Sequence, residues 1–136
     1  TTHNRAKARE FSRSHDTRLE PAVRAMYPQV AYNTRNSAAV TTGGMAISKQ
    51  LASLALLLSQ SALDPSKLWM SDCGFAVTFA WIKAFEPSLN LTINWPDSVC
   101  DYDSRLQKFD AVAAELEAYL PAMRSYLDKA KPPTFQ

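Results

Sequence analysis

Arg5, Arg9 and Arg13 stand four residues apart, so a helix through them carries three guanidinium groups along one face. Arg18, Arg24 and Arg35 continue the series, and before residue 30 arginine outnumbers lysine five to one. A planar guanidinium forks onto a phosphate with two parallel N–H bonds, which a lysine ammonium cannot do. Phosphate contact of this kind is blind to base sequence and weakens steeply with salt. These six arginines are therefore the candidate nucleic-acid-binding residues. The competing reading is a solvated helix face on which Glu10, Asp16 and Glu20 pair with some of them. Phe11 stands alone among the first arginines, so no ladder of stacking aromatics accompanies them.

A second charged group is acidic: Asp97, Asp101, Asp103 and Asp110. It lacks the glycine and the distal glutamate of an EF-hand loop. Two readings stand. In one, Asp97 closes the turn after Pro96 and Asp103 caps the last helix, where a carboxylate suits the helix dipole. In the other, the four are assembly carboxylates at a contact between subunits or at a divalent ion.

The chemistry of enzymes is not written here. There is no G-x-S-x-G elbow, and His3 and His15 both fall in the polar N-terminal stretch, where they read as surface residues. Gly43-Gly44-Met45 before a helix can meet an anion, yet no Gly-Lys-Ser/Thr follows. Cys73 and Cys100 are 27 residues apart without a C-x-x-C pattern; they can bridge, but in a chain of this size they read as buried free thiols. No catalytic residue, metal ligand or cofactor is predicted.

Positioning these groups falls to a chain of 136 residues, enough for one domain with a real core. Hydrophobic residues make up 46% and charged residues 21%, an ordinary globular balance that excludes wholesale disorder. The net charge of +2 conceals an asymmetry: residues 1–35 carry seven Lys/Arg against three Asp/Glu, giving +4. Each of the stretches 36–100 and 101–136 comes to −1, so the basicity belongs to the N-terminus.

The patterning predicts a mainly α fold, a small helical bundle with one short strand and an N-terminal arm. Residues 1–44 form the basic arm, with short helices over 3–15 and from Pro21 to Met26, then irregular chain from Gln29 to Gly44. The core spans 45–131 and a tail covers 132–136. In the core, Ile47, Leu51, Leu54, Leu58 and Ala62 mark one helix face. Asp64-Pro65 and Ser71-Asp72 are start signals for the next helix, whose Phe75, Phe79, Ile82 and Phe85 form an aromatic stripe stopped by Glu86-Pro87. Leu91, Ile93 and Trp95 alternate with polar residues as a strand does. Leu106, Phe109, Ala113, Leu116, Leu120, Met123, Leu127 and Ala130 trace a helical seam, with a kink or break expected near Tyr119–Leu120 because Pro121 lacks an N–H. No signal peptide or transmembrane segment is visible, and the longest apolar run is Leu54 to Leu58.

The stretch Trp81-Ile82-Lys83-Ala84-Phe85-Glu86-Pro87-Ser88, followed by Leu91-Thr92-Ile93-Asn94-Trp95-Pro96-Asp97-Ser98, resembles the coat proteins of rod-shaped plant viruses, the tobamovirus type. The resemblance implies a four-helix bundle that stacks into a helical array around RNA, with carboxylates such as Asp110 facing a neighbouring subunit. Lys83 departs from that pattern, which places a carboxylate partner there. The expected function is a non-enzymatic, self-assembling structural protein, coat- or nucleocapsid-like, that contacts RNA through its basic arm. Its expected partners are its own copies and RNA, its setting a virion or the cytoplasm. The alternatives are a monomeric helical interaction or adaptor module, and a small-ligand carrier built on the aromatic interior around Trp69, Phe75, Phe79 and Trp81.

Overall fold

The computed structural model describes residues 2–60 and 63–133. Ala62, at the end of the predicted apolar face, and residues 134–136 of the tail lie outside them. The chain begins as α1 (Thr2–Ser14), widens into a π-helical turn over His15–Leu19, and continues as α2 (Glu20–Arg24). Ser14 and Glu20 keep right-handed helical angles, so the two short helices expected here form one rod. The wide turn has a packing cause. From Phe11 to Val23, steps of four drift about 120° around a straight α-helix. One extra residue in the turn corrects that drift, and Phe11, Leu19, Val23 and Met26 are all buried. The segment read as an arm thus contributes to the core.

Two short 3-10 turns, Tyr27–Gln29 and Tyr32–Thr34, lead to α3 (Ser37–Ser59). This helix starts eight residues before the expected core, and 37–44 is helical rather than irregular. The Asn36 side chain caps it by accepting the Ala39 N–H at 3.1 Å. The Ser/Thr/Gly-rich first turns have little helical propensity of their own, and burial of Val40 and Gly44 holds them. Gly43 and Gly44 are packing residues inside this helix, not an anion loop. A Cβ on Gly43 would lie 2.1 Å from the Met26 sulfur, so the glycine permits the α2 end to approach. The predicted face is correct along its described length: Ile47, Leu51 and Leu54 are buried and Leu58 is half-buried.

Asp64-Pro65 opens a turn, with the Asp64 carboxylate accepting the Ser66 N–H, and the next helix waits for the second start signal. This is α4 (Met70–Ser88), in which Asp72 accepts the Trp69 N–H at 2.8 Å. The aromatic stripe is real: Phe75, Phe79, Ile82 and Phe85 are fully buried. The helix passes Pro87 and ends at Ser88, and Asn90, just beyond the Leu89 cap, has a left-handed φ of 53°. The Leu91 N–H then bonds the Glu86 carbonyl at 2.8 Å, closing the end as a Schellman turn does.

The 91–95 strand does not form. Its alternation is genuine, with Ile93 buried and Thr92 and Asn94 exposed, but the segment is an extended connector without a ladder. The Asn94 N–H is satisfied instead by the Ser48 hydroxyl at 3.0 Å. The seam divides into α5 (Asp97–Gln107) and α6 (Asp110–Leu127), so the break falls at Lys108-Phe109 and not at Pro121. Pro121 and Glu117 are exposed, and the Glu117 carbonyl that loses its partner can meet water. A 3-10 turn, Asp128–Ala130, follows. None of the described helices is long and apolar enough to cross a membrane.

Buried Asp72 joins α4 to α5 by also accepting the Tyr102 hydroxyl. Burial, and then the Asp72 carboxylate beside it, push the Tyr102 phenol well above its ordinary value of 10.0. Above pH 10 the unfolded chain therefore gives up this proton before the folded one, and stability falls as pH rises. Denaturant unfolding between about pH 8 and pH 11 should show that alkaline loss in the native protein, with a flatter profile in Tyr102→Phe. Gly43→Ala should destabilise by about 1–2 kcal/mol, because the fully buried Met26 side chain must repack to make room, which outweighs the gain in helix propensity. Gly44→Ala, whose Cβ meets the Leu91 side chain at 3.1 Å and Ile93 at an ordinary 3.8 Å, should be near neutral in the same measurement.

Candidate nucleic-acid interface

The rod α1–α2 lies against α3, and between them runs an open groove of about 710 Å³. Arg9, Arg13 and Arg18 line it together with Glu10 and Thr17. The spacing of the first two is helical, but Arg18 is five residues beyond Arg13. In a straight α-helix that leaves it about 140° around the axis. The π-turn, which bonds i to i+5, brings Arg18 back toward the Arg13 face. Thr17 supports the wide turn by donating to the Arg13 carbonyl at 2.6 Å. All three arginines are exposed.

Ser53, Leu56, Leu57 and Gln60 of α3 and the residue following it form the opposite wall. Leu56 is 62% exposed, a large apolar side chain facing the groove's opening. Leu56 and Leu57 stand outside the set Ile47, Leu51, Leu54 and Leu58, and sequence reasoning did not place them at this groove. The signal was present as too many leucines for one buried stripe. Glu10 brings a negative charge among the arginines and pairs with Lys7 at 3.4 Å.

The remaining arginines lie elsewhere. Arg5 is exposed one turn before Arg9 on the same helix. Arg24 donates through Nε and Nη2 to Glu20, at 3.0 and 2.6 Å, as the paired-face reading anticipates. Arg35 is half-buried and donates to the carbonyls of Gln29, Val30 and Ala130 at 3.0–3.1 Å. It ties the chain before α3 to the turn after α6, which is an architectural role. His15 is not a solvated residue: its ring packs edge-on 5.0 Å from Phe75 and its nitrogens hydrogen-bond with Asp16 and Thr78.

The acidic group does not converge. Asp97 and Asp110 are the first residues of α5 and α6, where their charge suits the helix dipole. Asp101 is exposed on α5. Asp103 lies within α5 rather than capping a helix; it is buried, pairs with Lys83 of α4 and accepts from Gln107 at 3.2 Å. Lys83 therefore meets its carboxylate inside one chain. Among the described residues no three His, Cys, Asp or Glu are grouped to hold a metal. Cys73 and Cys100 are free and exposed, not buried as expected.

The chain matches no protein-family model, no curated protein and no solved structure. The arginines can nevertheless be sorted by a measurement. Arg35→Met should lose about 2 kcal/mol of unfolding free energy, because it strands carbonyls that a charged donor satisfied. Arg24→Gln, which breaks only an exposed i,i+4 pair, should lose less than about 0.5 kcal/mol.

Proposed function

We propose that this protein is a non-enzymatic structural protein that assembles with copies of itself and contacts RNA through the N-terminal arginine face. The observation that carries this reading is the convergence of Arg9, Arg13 and Arg18 on one open groove, with Arg5 extending the same face. Three guanidinium groups along a groove can follow a phosphate backbone. The +4 charge of the first 35 residues supplies the long-range attraction. The stretch 81–98, whose resemblance to the coat proteins prompts the assembly reading, supplies the second half of α4, the connector and the first residues of α5.

Self-association draws on a different set of residues. Met45 and Met70 are 69% and 92% exposed, large apolar side chains left in water. Covering these side chains in a contact between copies would remove apolar area from water. The alternative, a monomeric interaction module, draws on an apolar groove of about 510 Å³ between α4 and α6, lined by Val77, Val112 and Leu116.

Fluorescence anisotropy with a labelled RNA at several salt concentrations tests the RNA contact. The native protein should bind with a steep salt dependence. Changing Arg9, Arg13 and Arg18 together to Gln should weaken binding and lower the slope of log K against log salt by about 2. Binding that ignores salt, or that survives the triple change undiminished, contradicts the assignment.

A further inference from the structure

The groove between the N-terminal rod and α3 has two unlike walls. The rod side carries Arg9, Arg13 and Arg18; Glu10 is also there, its carboxylate drawn toward Lys7 at 3.4 Å. Across from them stand Ser53, Leu56, Leu57 and Gln60, all uncharged. Ser53 turns its hydroxyl back to the Lys49 carbonyl at 3.2 Å, and Leu57 is half-buried against the core. Leu56, at 62% exposure, is the apolar surface this wall leaves open. An isolated leucine in water says little about function. This one faces three guanidinium groups across a groove, so a ligand lying there meets an ionic wall on one side and an apolar wall on the other.

We propose that Leu56 is a base-contacting residue of the RNA site, packing against an unpaired base while phosphates of the same strand lie on Arg9, Arg13 and Arg18. The inference rests on the RNA reading and names the form of RNA that the groove takes. An RNA strand has the matching asymmetry, with ionic phosphates along its backbone and the broad faces of its bases to the other side. In a duplex those faces are stacked on one another and only base edges reach the grooves, so a duplex leaves Leu56 uncovered. A single strand can splay a base out against the leucine. The gain is apolar area removed from water, not charge neutralised. It therefore adds to affinity without adding to the salt dependence that the arginines supply. The leucine side chain has no hydrogen-bonding group, so this contact does not select among bases.

Two probes separate the walls: a short labelled oligouridylate, and an abasic ribose-phosphate strand of the same length. Leu56→Ala keeps a good helix former at an exposed position and removes the apolar contact. The native chain should bind oligouridylate more tightly than the abasic strand. Leu56→Ala should weaken oligouridylate binding about fivefold at every salt concentration, with the slope of log K against log salt unchanged. Its affinity for the abasic strand should equal that of the native chain. Equal affinity of the native chain for the two probes, undiminished oligouridylate binding in Leu56→Ala, or an equal loss for both probes overturns the role of Leu56. In those cases the phosphate contact stands if the Arg9, Arg13 and Arg18 triple change still lowers the slope. Failure of the native chain to bind either probe in a salt-dependent way overturns both the role of Leu56 and the RNA reading beneath it.

Discussion

The rest of the structure depends on the burial of one aromatic stripe. Phe75, Phe79, Ile82 and Phe85 of α4 are shut off from water, and rings from four neighbouring segments cover them. Phe11 of α1 meets Phe75 edge-on, Tyr27 meets Phe85, and Tyr102 of α5 meets both Phe75 and Phe79. Trp95 of the connector closes over Phe79. Truncating a buried phenylalanine typically costs about 3–5 kcal/mol, a large share of any small domain's stability. The N-terminal rod is bound to the bundle through α4 as well as α3, and its charged face is held in place by its apolar one.

That constraint explains the π-turn. The rod must present Phe11, His15, Leu19 and Val23 to one side over more than three turns, which straight α-helical geometry does not allow at steps of four. The same insertion carries Arg18 toward Arg13 on the other side. Core packing and the arrangement of the arginines are thus two faces of a single local distortion. The proposed RNA contact rests on this coupling: a free, solvated arm would carry the same charges without fixing their spacing.

Much of the helical architecture was legible. The α4 stripe, the α3 face and the Ser71-Asp72 start signal all follow from side-chain periodicity and capping chemistry. The failures have distinct physical sources. The first turns of α3 are poor helix formers held by tertiary packing, above all Gly43 under Met26, which no local pattern reveals. The connector 91–95 alternates because one side is buried, and alternation does not by itself supply a hydrogen-bonding partner. Pro121 does not break its helix because it lies on the exposed side. For the candidate interface, helical spacing marked Arg5, Arg9 and Arg13 but could not place Arg18. Nor could it show that Arg35 turns inward to three carbonyls or that Asp103 finds Lys83 within the same chain.

The proposed account is of a chain whose aromatic core fixes a basic groove on a surface that also leaves Met45 and Met70 open to other copies. Its central claim is assembly on RNA. Light scattering and negative-stain microscopy of the pure protein, with and without RNA, over about pH 5–8 test that claim most directly. The account predicts ordered rods or rings whose formation RNA promotes. A protein that stays strictly monomeric at high concentration, with RNA present and across that pH range, contradicts it.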